Sequence, residues 1–228
     1  YDSKTLGIRR PLRVYTPPGF STARRYPVLY LQHGLGNTST EWVQRARAPI
    51  IADNLIADGK MVPMIIVFPS GNATATPGDE KQGDRTQASY GQPYHDDLLK
   101  DIIPFVEANY PVSPDRANRG IAGMSMGSGQ ALNIGLTNLD KFDWIAVVAP
   151  APNTRPPAEL LTDTAALNRL KLFWLSVGNR DALYRVGRGV HDLATEKGVT
   201  HIWRVDTNAH DTGAMSSNFY HFAQKLFK

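Results

Sequence analysis

The chain contains no cysteine. Disulfides, thiolate nucleophiles and cysteine-based zinc sites are excluded together, while the redox compartment stays open. Long apolar runs are also missing. The longest, Met64–Phe68 and Trp144–Ala149, fall far short of the roughly 20 residues that a membrane-spanning helix needs, so no membrane association is expected. Charge of either sign is not concentrated: 25 Lys and Arg stand against 21 Asp and Glu, scattered singly or in pairs such as Arg9-Arg10 and Arg24-Arg25. No nucleic-acid footprint follows from that pattern. Gly127-Ser128-Gly129 has neither the spacing of a dinucleotide fingerprint nor the lysine of a phosphate loop. The His-Asp pairs beginning at His95, His191 and His210 lie far apart without zinc-ligand spacing, so neither a cofactor nor a metal is expected. The first residue is Tyr1, with no methionine or apolar leader, which reads as a mature or excised product.

What is present alternates. Short runs rich in β-branched and aromatic residues, bounded by turn residues, predict buried parallel strands at Val28–Gln32, Met64–Phe68, Gly120–Met124, Trp144–Ala149 and Leu172–Val177, with another at His201–Val205. Leu12–Tyr15, ending in Thr-Pro-Pro-Gly, suits an antiparallel edge strand. Helical patterns cover Glu41–Asp58, Tyr94–Asn109 with a kink at Pro104, Ser128–Thr137, Pro157–Asn168, Leu183–Glu196 and Ser216–Phe227. Strands alternating with helices predict an α/β fold: a mostly parallel, doubly wound sheet with an antiparallel N-terminal edge, in one domain over residues 1–228. The polar stretch from Pro69 to Pro93 exceeds ordinary loop length and should emerge at the carboxyl edge of the sheet, where such folds bind ligands.

Gly123-Met-Ser-Met-Gly127 lies between a predicted strand and a predicted helix, the context of a nucleophile elbow. Composition alone would give G-x-S-x-G in roughly one such chain in ten, so the context carries the assignment of Ser125 as nucleophile. A base and an orienting acid should follow in the order Ser, Asp, His. Asp181 follows the end of one strand and His210 the end of the next, on the edge that carries Ser125. His33, His95, His191, His201 and His221 precede the nucleophile or fall within elements. Asp206 and Asp211 also lie near His210, and Asp181 could instead cap the helix beginning near Ala182. Oxyanion donors are expected from the backbone N–H groups of Met126 and of Leu35, in Gln32-His-Gly-Leu-Gly36.

The chain resembles the esterase D-like α/β-hydrolases, specifically carbohydrate esterase family 1, along nearly its whole length. The resemblance is carried by Arg13-Val-Tyr-Thr-Pro-Pro-Gly19, Tyr30-Leu-Gln-His-Gly34, Ala52-Asp-Asn-Leu-Ile56, Asp97-Leu-Leu, the Gly123–Gly127 elbow and Asn133-Ile-Gly-Leu-Thr-Asn-Leu-Asp140. It implies Ser125, Asp181 and His210 as nucleophile, acid and base, and a secreted serine esterase that removes feruloyl groups from plant cell-wall arabinoxylan. Its partner would be a polysaccharide ester or a small aryl ester, and the chain could be a module of a larger xylan-degrading enzyme. Acetylxylan esterase is the alternative within the family, and a noncatalytic carbohydrate-binding module is the alternative from another class. The chain departs from the family at Ser128, where a second glycine is common, and at Thr212, where many members carry tryptophan. Tyr90, Pro152 and Thr212 are the expected substrate contacts.

Overall fold

A computed structural model describes residues 1–73 and 91–228. Its main sheet has seven strands in the order β3-β5-β4-β6-β7-β8-β9. These are β3 (Leu12–Tyr15), β4 (Val28–Gln32), β5 (Ile65–Pro69), β6 (Arg119–Met124), β7 (Trp144–Val148), β8 (Leu172–Gly178) and β9 (Ile202–Asp206). Only β3 runs antiparallel, pairing Leu12 with Pro69 and Tyr15 with Ile66. Each predicted strand is present with ends shifted by no more than one residue. A two-residue ribbon, β1 (Asp2–Ser3) against β2 (Ile8–Arg9), precedes them and carries no sequence signal of its own.

Alternation along each buried strand sends side chains to two cores. Val28 and Tyr30 of β4 enter one, Leu29 and Leu31 the other. Helices cover both faces, as continuously apolar parallel strands require. On one side lie α3 (Gln92–Asp97), α4 (Ile103–Asn109), α5 (Met126–Thr137) and α8 (Tyr184–Glu196); on the other lie α1 (Glu41–Gln44), α2 (Ala48–Ala57) and α9 (Thr212–Ala223).

The structure corrects several helix spans. The pattern at 41–58 is not one helix: it breaks at Arg47, which has φ 54°, before α2 restarts with Pro49 in its first turn. A continuous helix would put the Pro49 ring against the Arg45 carbonyl and remove an interior donor. The 157–168 pattern likewise splits into α6 (Pro157–Leu160) and α7 (Thr164–Leu167), because Asp163 caps the second by accepting from Ala166 N–H at 2.9 Å. Before Pro104 the chain widens into a π-helical turn, Leu98–Ile102, in which Ile103 N–H reaches Leu98 O. The wider turn accommodates the donor that proline lacks. The last helix starts at Thr212 rather than Ser216, immediately after His210, because the Asp211 side chain accepts from Ala214 N–H at 2.9 Å.

A buried ion pair fastens the N-terminal ribbon beside the carboxyl edge of β5. Arg10 donates to Ser70 O at 3.1 Å and Asn72 O at 2.5 Å and lies 3.9 Å from Asp97, whose carboxylate also accepts from Tyr1 Oη and Ser3 Oγ, each at 2.6 Å. Burial raises the Asp97 carboxyl above the usual range. Asp97→Ala should cost about 3–5 kcal/mol in urea denaturation, since it leaves the buried guanidinium without its countercharge.

Candidate active site

Ser125 stands between β6 and α5 with φ 59° and ψ −123°, a conformation that a residue with a β-carbon rarely adopts. Such a backbone stores about 1–3 kcal/mol and persists only where its surroundings fix it. Here Ser125 N–H donates to Val148 O at 2.9 Å, and Ser128 Oγ accepts from Val148 N–H at 2.9 Å while lying 2.8 Å from Gly123 O. The flanking glycines have separate reasons. A β-carbon on Gly127 would stand 2.6 Å from Gln32 O and 2.7 Å from His33 O, and one on Gly123 would run into the Gly127 backbone.

The candidate base and acid meet through loops at the ends of β8 and β9. Gly178 leaves no room for a side chain because Asn208 O crosses over it, which carries His210 back toward Asp181. His210 Nδ1–H donates to Asp181 Oδ2 at 2.7 Å, and Asp181 Oδ1 accepts from Leu183 N–H at 2.8 Å. The Asp181 side chain is wholly buried, whereas His210 is 37% exposed. The hydrogen bond to Asp181 raises the imidazole above its ordinary pKa against the opposing effect of burial. The neighbouring aspartates are engaged elsewhere: Asp206 accepts from Asn208 N–H and Asn218 Nδ2, and Asp211 caps α9. Among the described residues no hydrogen bond joins Ser125 Oγ to His210. Such contacts commonly tighten only once substrate is bound.

The loop after β4 completes the site. Gly34 N–H is occupied by Glu41 Oε2 at 2.7 Å, whereas Leu35 N–H finds no acceptor among the described residues. The carbonyl of the same 34–35 peptide accepts from His33 Nδ1–H at 2.8 Å, and His33 Nε2 accepts from Gly71 N–H at 2.9 Å. Burial pushes His33 down to about 4, so it stays neutral with this tautomer fixed. Met126 opens α5, where a first-turn N–H has no helical acceptor. A cavity of about 860 Å³ is lined by Ser125, Leu35, Met126, Pro152, Asn153 and residues of α3. Of the expected substrate contacts, Pro152 lines this cavity, Thr212 does not, and Tyr90 lies outside the described residues. Glu41 was not nominated from the sequence; His33 was read only as part of the Gln32–Gly36 loop and Asn153 only as the end of a candidate acyl wall from Ala149 to Asn153, because the hydrogen bonds each makes depend on tertiary contacts. Among the described residues there is no cluster of three or more potential metal-ligating side chains, and no helix is long and apolar enough to cross a membrane.

A family model described as "Esterase: Putative esterase" matches residues 3–218. The chain belongs to this esterase family. An endo-1,4-beta-xylanase/feruloyl esterase of Xylanibacter ruminicola is 30% identical over 196 residues, covering 84% of this chain and 26% of that protein. The esterase chain thus spans about a quarter of that relative's length. An S-formylglutathione hydrolase of Arabidopsis thaliana is 26% identical over 167 residues, covering 66% of this chain and 55% of that protein. Among solved structures, a CE1 ferulic acid esterase from Anaeromyces mucronatus in complex with ferulic acid aligns at TM-score 0.89 and 26% identity, over 100% of this chain and 88% of that one. The resemblance read from the motifs is thereby supported: the fold is that of α/β-hydrolase esterases, similar to the CE1 feruloyl esterases.

In this esterase the departure at Ser128 is structural. Its hydroxyl is fully buried and joins the elbow to β7 at three points, Gly123 O, Val148 O and Val148 N–H. Ser128→Gly, which restores the common family residue, should lower stability by about 1–3 kcal/mol in urea denaturation because it strips a buried amide of its partner.

Proposed function

We propose that this esterase hydrolyses hydroxycinnamoyl esters, feruloyl groups on arabinoxylan foremost, through a serine acyl-enzyme. The observation that carries the reading is the 2.7 Å pair of the buried Asp181 and the solvent-facing His210 on the sheet edge that carries the strained Ser125. His210 takes the Ser125 proton as Oγ attacks the ester carbonyl, and the tetrahedral oxyanion is held by Leu35 and Met126 N–H. The imidazolium then protonates the departing alkoxy oxygen, leaving an acyl-serine. Water, deprotonated by His210, attacks that acyl group and releases the acid and free Ser125.

Cavity size favours a phenolic acyl group over acetyl. About 860 Å³ beside Ser125 lies within the range of sites for drug-sized molecules, and an acetyl group would leave most of it unfilled. Pro152, Ile134 and Leu183 offer apolar wall, while Asn133 and His95 offer polar groups. A secreted location and membership of a longer xylan-degrading protein fit this reading.

Four measurements test it. Ser125→Ala should reduce turnover of methyl ferulate by about 10⁴-fold or more, and full activity in that variant would refute the mechanism. Because the base form of His210 is required and its pKa is raised, kcat/KM should fall on the acid side with an apparent pKa above the usual 6.5. Asp181→Asn should move that limb to lower pH and lower kcat by about 10⁴-fold. In a panel of methyl hydroxycinnamates, acetylated xylan and S-formylglutathione, the hydroxycinnamates should show the highest kcat/KM; preference for acetylated xylan would reassign the substrate to acetyl esters.

A further inference from the structure

One buried carboxylate beside the site takes no part in the proton transfers. Glu41 opens α1 with its side chain only 7% exposed, and Arg45, one turn later, lies 3.5 Å from Oε1. A β-carbon built on Gly34 would sit 3.5 Å from Glu41 Oε2 and 3.6 Å from Ser125 Cβ, so the carboxylate and the nucleophile flank the same glycine. Burial raises Glu41 above the usual carboxylate range, while Gly34 N–H, Arg45 and His210 oppose that rise. The charged groups facing His210 are Asp181, Glu41 and Asp211, and each favours the protonated imidazole.

We propose that Glu41 is a positioning residue for ester cleavage: it fixes the oxyanion loop through Gly34 N–H and adds its carboxylate to those of Asp181 and Asp211 around His210. The inference rests on the Ser125–His210 reading above. By occupying Gly34 N–H, Glu41 fixes the peptide that precedes the Leu35 donor, while His33 fixes the carbonyl of the donor's own peptide. Preorganised donors of this kind cost no reorientation as negative charge develops on the substrate oxygen. A neutral acceptor would also hold Gly34, though less strongly than a carboxylate does. The charge has a separate effect, since it stabilises the imidazolium that forms when His210 takes the serine proton. One side chain therefore acts on the oxyanion through its hydrogen bond and on the base through its charge.

Two substitutions separate these effects, with methyl ferulate as substrate. In Glu41→Ala, kcat should fall about 10- to 100-fold with KM within about 3-fold, because a loosened loop weakens the transition state more than substrate binding. Glu41→Gln retains an acceptor for Gly34 and should recover part of that loss. It should also move the acid limb of kcat/KM to lower pH, because the charge that favours imidazolium is gone. Circular dichroism and thermal melting establish that each variant is folded; if the alanine variant is not, the acid limb of Glu41→Gln decides. An unmoved acid limb in Glu41→Gln, or an unchanged kcat in folded Glu41→Ala, overturns the proposal. Ser125→Ala is measured alongside. Activity retained there defeats the Ser125–His210 reading itself, whereas an inactive Ser125→Ala with unaltered Glu41 variants defeats only the role of Glu41.

Discussion

The arrangement at the carboxyl edge of the sheet depends on backbone meeting backbone between the elbow and the end of β4. At Gly127 the helix α5 approaches Gln32 and His33 so closely that even a methyl group would be 2.6 Å from a carbonyl oxygen. Because nothing separates them, Ser125 and the loop carrying Leu35 are held at a spacing set by peptide dimensions rather than by side chains that can change rotamer. The same approach demands support for β4's last residues. Gln32 O accepts from Trp42 Nε1 at 2.7 Å, and the Gln32 side chain accepts from Tyr94 Oη. An indole and a phenol, one on each face of the sheet, thus fix the strand end against which the nucleophile turn is pressed.

The histidine buried beside this contact is held without a charge. His33 links Gly71 N–H to Gly34 O as a neutral ring, since burial holds it near 4. A cation there would also be opposed by the charge of Arg10. Asp181 and Glu41 each take a backbone N–H, and together with Asp211 they favour the protonated form of His210, the one group that must change charge during the proposed reaction. Fixed dipoles therefore surround Ser125 and fixed charges surround His210, as differential stabilisation of the charge-separated transition state of the proposed reaction requires.

Sequence periodicity located the sheet well and its supports poorly, for a physical reason. Buried parallel strands are continuously apolar, so β4 to β8 stand out from the polar turns around them, and the elbow follows from glycines that sterics demand. Helix continuity was less legible. Apolar spacing ran through residues 41–58, but Pro49 could not sit inside a helix, and the restart at Arg47 depends on a left-handed residue that the pattern does not encode. Glu41 was invisible for another reason: a glutamate in the first turn of a helix is common, and only the folded chain shows its carboxylate meeting Gly34. Ser128, marked as a departure from related sequences, proved to be a joint between two strand ends rather than a feature of the acyl pocket.

The cavity wall is coupled to the nucleophile more firmly than its loop character would suggest. After β7 the chain turns through Ala149, which has φ 52° and donates its N–H to Ser176 O at 2.7 Å. That turn returns Ala151, Pro152 and Asn153 toward Ser125, and Asn153 Nδ2 donates to Met126 O at 3.0 Å. Gly129 makes this possible, because a β-carbon there would stand 2.6 Å from the Asn153 amide carbon. A second tie runs from Asn133 on α5, whose amide donates to Asn153 O and accepts Arg155 N–H, each at 2.9 Å. Residues 151–155 and the elbow helix therefore form one hydrogen-bonded body. If the proposed acyl group sits in this cavity, a change of preference on this side must come from replaced side chains such as Pro152, since displacing the wall would strain the helix that follows Ser125.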